Sequence, residues 1–538
     1  MAADEKNAEE IFKEFKEQSI TQFFRKNSQM LGYSGKVRSL TTVIHEYVAN
    51  SLDACEEAGV FPDISVEVKE ISESRHHVTV TDNGPGIPQK HIGKALASIL
   101  SGTKFHRYLQ QRGQQGIGAG GCTLFSAITT GKPIHARSGT GKGSSFECDI
   151  AIDIKTNKPL ITNMKTVLED FRGTSVSGEF GDTKYERSDH GVFEYIKRTA
   201  LSNPHASIRL VEPDGKETVF PRSVNEMPKR PKQTKPHPLG ISARDLLDFA
   251  HIADSKNVSS FLMESFSRVS AAKIDELKAV ADGVNFDKRP RELTWPDAEK
   301  VVEAFGKIKW IAPETDSLSV IGAKQMETAM LNIINPQFIS VTERKPKIFK
   351  GGIPFVVEAG IAYGGDAGKK TEEGTKGTIM RFANKVPLLF DGSVCAITEA
   401  VNQIQWKRYG IRDFGDEPIS VFVNISSVYI PYNGIGKQAV SQEAEIIEEL
   451  KLGIMECARK LQIHINKQRS MHVRESRYKT IMRYIGQLSA DLSEITGEEP
   501  VKIEESLKKI VENKYDMGND TADEEESDAD TGLLEESD

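Results

Sequence analysis

The stretch HHVTVTDNGPGIPQKHIGKAL ends a strand pattern in a carboxylate suited to reading a flat heterocycle. Val78 and Val80 alternate with polar residues, which predicts a strand that delivers Asp82 to the start of a loop containing Gly84, Pro85 and Gly86. A carboxylate fixed there can accept a hydrogen bond from the exocyclic amine of adenine, where guanine would present a carbonyl. The loop glycines let the backbone come close to the base. Taken alone, Asp-Asn-Gly-Pro-Gly is also ordinary turn chemistry.

A second segment, GTKFHRYLQQRGQQGIGAGG, carries Gly113, Gln114, Gln115, Gly116, Gly118, Gly120 and Gly121 behind the basic residues Lys104 and Arg112. Glycine-rich backbone that exposes N–H groups at a helix start binds phosphate, and a lysine adds a point charge. The same composition also suits a mobile surface loop. A third segment, HEYVANSLDACEEAG (His45 to Gly59), sets Glu46, Asn50 and Asp53 four and three residues apart with no lysine or arginine among them. That spacing puts the three on one stripe of a helix and Ile44, Val48, Leu52 and Cys55 on the opposite one. An acid-amide-acid stripe is either a solvated helix face or a site. SGTGKGSS, Ser138 to Ser145, looks like a phosphate loop but has Gly143 after its lysine and Ala136 where the first glycine belongs, so it fails the pattern.

These elements sit in a chain of 538 residues, enough for three or four packed units. Cys55, Cys122, Cys148, Cys395 and Cys457 are scattered without metal-ligand spacing, and their odd number argues against a disulfide framework. With no apolar run of membrane-spanning length and an acidic start, MAADEKNAEE, the expectation is a soluble, cytoplasmic protein. Asp520 to Asp538 holds ten acidic and no basic residues. Of the formal net charge of −8 this tail therefore accounts for −10, which leaves the rest of the chain at +2. Such a body neither demands nor forbids a nucleic-acid surface. The tail, poor in large apolar residues, is expected to stay disordered.

Mixed helix and strand patterns from about Leu31 to Val224 predict an α/β sandwich. The proline- and lysine-rich MPKRPKQTKPHPLG, Met227 to Gly240, reads as a boundary, and Ile241 to Ile308 as a run of short helices. Strands return in IPFVVEAGIAYGG, GTIMRFANKVPLLF and SVFVNISSVYIP, with EAVNQIQWKRYG read as a helix between the last two. A long helix is expected from about Ser441 to Leu492.

The ordered set of acid-amide helix, strand ending in Asp before Gly-x-Gly, and glycine-rich loop resembles the Bergerat (GHKL) ATPases. This superfamily includes DNA gyrase, the ninety-kilodalton heat-shock chaperone, histidine kinases and the mismatch-repair ATPases. SITQFFRKN, LGYSGKVRSLTTVIHEYVANSLDACEEAG and RGQQGIG resemble the B subunit of the type IIB topoisomerases, topoisomerase VI, and the resemblance runs to about Leu492. It implies ATP and Mg²⁺ as cofactors, with Glu46 as the general base, Asn50 as the Mg²⁺ ligand and Asp82 as the adenine acceptor. Asp53 and Thr174, in RGTSVSGEF, would lie at the adenine end, and Gly84, Gly86, Lys104, Gly113, Gln114, Gln115, Gly116 and Gly118 would line the nucleotide. Gly120 and Gly121 depart from the bulkier residues expected after GIGA.

The implied fold class is α+β and multidomain. An N-terminal arm over 1–30 carries Phe12, Phe15, Ile20, Phe23 and Phe24, and a Bergerat α/β sandwich covers 31–226. A linker with a helix-two-turns-helix module spans 227–308, a transducer resembling ribosomal protein S5 domain 2 spans 309–492 with its long helix, and the acidic tail spans 493–538. Lys437, in YNGIGKQAV where a strand turns into the long helix, would reach the γ-phosphate; without the resemblance it is a solvated residue of a helix's first turn. Trp406, Lys407, Arg408 and Tyr409 match a DNA-contact motif of the family, while Trp406 serves equally well as an anchor of its helix to the sheet. By the same resemblance the chain dimerises when ATP binds and acts on double-stranded DNA with a DNA-cleaving A subunit that carries the tyrosine nucleophile, in an A2B2 heterotetramer associated with the nucleoid. The alternative is an ATPase clamp of chaperone type; a histidine kinase lacks its phosphoacceptor helix here.

Overall fold

The computed structural model describes residues 32–98, 108–113, 118–141, 143, 145–153, 158–434 and 436–514. The N-terminal arm, Lys104, Gln114, Gln115, Gly116 and the acidic stretch from Asp520 lie outside the described residues. The chain divides into two compact units at Ala458/Arg459.

The first unit opens with helix α1 (Lys36–Ala58), which ends where Gly59 takes a left-handed φ of 73° and its N–H closes on the carbonyls of the last turn. Leu40, Val43, Ile44, Val48, Leu52 and Cys55 are all buried on one side of it. They pack onto an eight-stranded sheet made of β1 (Asp63–Ser72), β2 (Arg75–Asp82), β3 (Ile134–Thr140), β4 (Ser145–Asp153), β5 (Lys158–Val167), β6 (Arg172–Gly181), β7 (Ser207–Val211) and β8 (Glu217–Phe220). Its order is β5-β4-β3-β6-β2-β1-β7-β8, and only the β1/β7 pair is parallel. β2 alternates half-buried and buried residues along its whole length, as RHHVTVTD predicts for a strand with one covered face. Helices α2 (Ile92–Ala97), α3 (Gly118–Thr130) and α4 (Val192–Ser202) complete the covering layer. SGTGKGSS runs from the end of β3 into β4 and is a hairpin, in keeping with its failure as a phosphate loop.

The linker is extended and hydrogen-bonded to its surroundings: Thr234 N donates to Tyr108 O (2.9 Å) and Lys232 N to Ser317 O (3.0 Å). Helices α5 (Ala243–Ile252), α6 (Val258–Ser265), α7 (Ala271–Val280) and α8 (Trp295–Lys307) then close around their own apolar core of Leu246, Phe261, Leu262, Leu277, Val301 and Phe305. Ser242 and Asn257 start α5 and α6 with reciprocal capping boxes, so these short helices satisfy their free N–H groups locally.

After α9 (Ala323–Ile334) comes the second sheet, from β9 (Phe338–Glu343), β10 (Lys347–Phe349), β11 (Ile353–Tyr363), β14 (Thr378–Ala383), β15 (Val386–Pro387) and β16 (Ile419–Ser427). It runs β10-β11-β16-β14-β15 with β9 also on β11, and β12 (Lys369–Thr371) and β13 (Gly374–Lys376) form a separate hairpin. Every residue of β16 is buried, which explains why ISVFVNISS is nearly continuous in apolar and small residues. Arg38 on α1 forks onto Asp391 (3.1 and 3.2 Å) beside this sheet, with its guanidinium over Phe390.

Three sequence expectations change. EAVNQIQWKRYG is not one helix: α10 (Ala396–Asn402) stops, and Trp406–Tyr409 form a separate 3-10 turn. The long helix α11 starts at Ala444 and continues to Thr496. The second unit begins within it at Arg459 and also contains α12 (Pro500–Lys514), so of the residues assigned to the tail 493–496 and 500–514 are helical. Their charges are mixed and VKIEESLKKIVENK carries Val501, Ile503, Leu507, Ile510 and Val511, so the lack of large apolar residues argued for the acidic stretch does not extend to them.

Phe422 is fully buried and stacks on Phe382 with ring centroids 4.3 Å apart. Phe422→Ala should cost about 3–5 kcal/mol of unfolding free energy, read as a lower denaturation midpoint with an unchanged slope.

Candidate nucleotide site

Asp82 sits at the end of β2 with its carboxylate buried. Oδ1 accepts from Gly84 N (3.0 Å) and Thr174 N (3.1 Å), and Oδ2 accepts from Ser51 Oγ (2.8 Å). Burial pushes its pKa up, and these three hydrogen bonds oppose the shift. A carboxylate offers about four lone-pair directions, so one position on Oδ2 remains suited to an amine donor. The glycines around it are sterically required: a Cβ at Gly173 would lie 1.9 Å from Asp82 O, and one at Gly86 2.2 Å from Gly139 O. Ser51, which ties α1 to this carboxylate, was missed in the sequence; serine beside an aspartate in a helix gives no signal of its own.

On α1, Glu46 and Asp53 are half-buried and Asn50 is exposed, all on the face away from the apolar stripe. A Cβ at Gly118, the first residue of α3, would lie 1.9 Å from Glu46 Oε2, so that glycine lets the helix start come against the carboxylate. Gly113 faces Asn50 at a looser distance, 3.9 Å from its Oδ1 to a built Cβ. Lys437 lies in the loop ahead of α11, not in its first turn, at a left-handed φ of 50° that costs a non-glycine residue about 1–2 kcal/mol. Burial lowers the pKa of His45, the neighbour of Glu46; Glu46 opposes that shift and the positive charge of Lys437 adds to it. Lys437 is therefore within electrostatic range of the helix turn that carries Glu46.

Asp53 and Arg112 have different surroundings from those the sequence suggested. Arg112, read as part of a phosphate-facing basic stretch, is buried, and its guanidinium goes to Asp53 Oδ1 (2.8 Å), Glu56 (2.5 and 3.0 Å) and Asn203 Oδ1 (2.5 Å). Glu56 Oε1 also accepts from His205 Nε2 (2.8 Å). Burial alone would raise the pKa of Glu56, but Arg112 and then Lys385 outweigh it and hold the carboxyl well below its usual range. The resulting stabilisation is complete above about pH 4.5 and is lost as pH falls through the depressed value. A cavity of about 190 Å³ opens beside this cluster, lined among others by Asp53, Glu56, Arg112, Ser319 and Lys385. Of the expected nucleotide contacts among the described residues, only Asp53 borders it.

Trp406 and Tyr409 are buried, and the indole Nε1 donates to Val401 O (3.1 Å) while the ring packs against Phe414. The anchor role of Trp406 is thus present, and Lys407 and Arg408 are left exposed between the two rings.

Residues 35–154 match the family of histidine kinase-, DNA gyrase B- and HSP90-like ATPases, and residues 313–477 match the transducer of the topoisomerase VI B subunit. Sheet, helix stripe and buried carboxylate therefore define an ATPase of the GHKL class joined to a transducer. The chain is 42% identical to the type 2 DNA topoisomerase 6 B subunit of Pyrococcus horikoshii, over 95% of this chain and 97% of that one. It is 44% identical to the protein of the same name from Methanothermobacter thermautotrophicus, over 89% and 92%. This chain belongs to the family of type 2 DNA topoisomerase 6 B subunits. No described helix is long and apolar enough to cross a membrane.

Asp82→Asn keeps the volume but replaces one acceptor oxygen by a donor. ATP affinity, measured by calorimetric titration, should fall about 10- to 100-fold; unchanged affinity would remove Asp82 from adenine recognition.

Proposed function

We propose that this chain is the ATP-hydrolysing B subunit of a type IIB DNA topoisomerase, and that ATP binds along the Glu46–Asn50–Asp53 face with its adenine amine on Asp82. The observation that carries this reading is the buried Asp82 carboxylate, held by Ser51, Gly84 and Thr174 at the end of the same polar face. Thr174, Gly84 and Gly86 would flank the base, and Gly113 and Gly118 the phosphates. Lys104, Gln114, Gln115 and Gly116, outside the described residues, complete the expected phosphate contacts.

In hydrolysis Glu46 takes a proton from a water that attacks the γ-phosphorus. The bond between that phosphorus and the bridging oxygen breaks, and ADP leaves with the electron pair. Lys437 stabilises the negative charge on the γ-phosphoryl oxygens. Among the described residues there is no group of three or more His, Cys, Asp or Glu placed to hold a metal ion. That fits Mg²⁺, which is bound through one or two protein oxygens together with substrate phosphates and water, with Asn50 supplying the amide oxygen. When bound, Mg²⁺ neutralises phosphate charge.

ATP would bring two copies together through the first sheet region around a double-stranded DNA segment. The transducer would pass nucleotide state to a separate A subunit that cleaves DNA through a tyrosine, in an A2B2 assembly that relaxes supercoils and separates catenanes. Exposed Lys407 and Arg408 are suited to the DNA backbone. A chaperone-type clamp would share the nucleotide site but gives no account of the transducer match at 313–477.

Glu46→Ala should bind ATP and close without turnover, and Lys437→Ala should bind ATP but hydrolyse it about 10²- to 10⁴-fold more slowly. Near-wild-type hydrolysis in either variant would sink the assignment. Lys407→Glu should reduce the stimulation of ATP hydrolysis by DNA at low salt; unaffected stimulation would exclude that DNA contact. Gentle purification from the native cells should bring down a stoichiometric second chain able to form a tyrosine-linked DNA complex. Recovery alone, or with unfolded clients, would leave the ATP site and remove the DNA gate.

A further inference from the structure

We infer that Tyr108–Arg112 is a clasp through which the second sheet region sets the position of α1, with Gln110, Arg112 and Lys385 as positioning residues for ATP binding. The inference rests on the ATP reading of α1 given above.

The clasp is built from hydrogen bonds that reach three parts of the first unit. The Gln110 amide pairs reciprocally with the backbone of Ser319: Nε2 donates to Ser319 O (2.8 Å) and Ser319 N donates to Oε1 (2.6 Å). Asn384 Nδ2 donates to Gln111 O (3.3 Å), and the linker's Thr234 N donates to Tyr108 O (2.9 Å). At the far end Arg112 grips Asp53 and Glu56 on α1. Lys385 donates from Nζ to Ser319 Oγ (2.8 Å), and its backbone carbonyl accepts from Ser202 and Asn203 beneath the first sheet region. Gln110, Arg112, Ser319 and Lys385 are each more than nine-tenths buried.

Two features favour positioning over simple cement. A buried ion pair contributes little net stability compared with apolar packing, because desolvation offsets its attraction, so this charge cluster is a poor choice for holding regions together. The 190 Å³ cavity beside the cluster means that the contact is not close-packed, and among the described residues Arg112 Nε has no hydrogen-bond partner. The clasp therefore has room to shift while keeping its directional bonds. Asp53 lies one turn from Asn50 and two from Glu46, so a shift of Ser319 and Lys385 reaches the stripe through Arg112. Coupling of this kind is reciprocal: nucleotide on α1 must alter the environment of Ser319.

Hydrogen exchange at the Ser319 amide of the full chain, with and without a non-hydrolysable ATP analogue, tests this directly. In the wild type the analogue should slow exchange at Ser319 by about 5-fold or more, and in Gln110→Ala the nucleotide-dependent change should vanish. Lys385→Met should raise KM for ATP about 5- to 30-fold with a smaller effect on kcat, and Lys385→Arg should recover most of the loss. The wild-type exchange measurement decides even if a variant fails to fold. Nucleotide uptake with unchanged exchange at Ser319 would overturn this inference alone; no uptake by the wild type would overturn the ATP site and the clasp together.

Discussion

A carboxylate cannot be buried cheaply, and the first sheet region is organised around satisfying the one at Asp82. Its hydrogen bonds come from three different elements: Ser51 on α1, Gly84 in the loop after β2, and Thr174 on β6. Those bonds fix the height of α1 over the sheet and hold the loop close. Gly173 and Gly86 are needed because the backbone approaches itself so tightly there that a side chain would not fit. Once α1 is seated, its apolar stripe is committed to the core. Glu46, Asn50 and Asp53 must then point to the other side, where a ligand can meet them.

Charge burial of another kind joins this region to the second sheet. Glu56, Arg112 and Lys385 come from α1, from the segment before α3 and from the turn between β14 and β15, and they share one partly filled space. Burial depresses the pKa of Lys385, while Glu56 opposes that shift and Arg112 adds to it. The Glu56 carboxylate thus offsets the burial of both cations. An assembly that must respond to nucleotide needs contacts that are directional and can be remade, and a polar cluster beside a cavity meets that need better than an interlocked apolar core.

Sequence alone determined much of this. The period of α1 separated its apolar and polar stripes because a helix repeats every 3.6 residues, and the alternation before Asp82 gave the strand and the position of its carboxylate. The short helices of 241–308 were legible as helical patterns joined by short connections. Local pattern also rejected SGTGKGSS as a phosphate loop. What sequence could not determine depends on neighbours far away in the chain. Arg112 reads as a free cation beside glycines until the fold brings Asp53, Glu56 and Asn203 to it. Gln110 and Lys385 carry no local signal, since their partners at Ser319 and Glu56 are set by how two sheets meet. The break between α10 and Trp406–Tyr409 likewise goes with burying both rings, Trp406 against Phe414, a demand that overrides helix propensity. Periodicity is a property of adjacent residues and survives in the sequence; the pairing of buried charges is a property of the packed chain, and only the tertiary structure decided it.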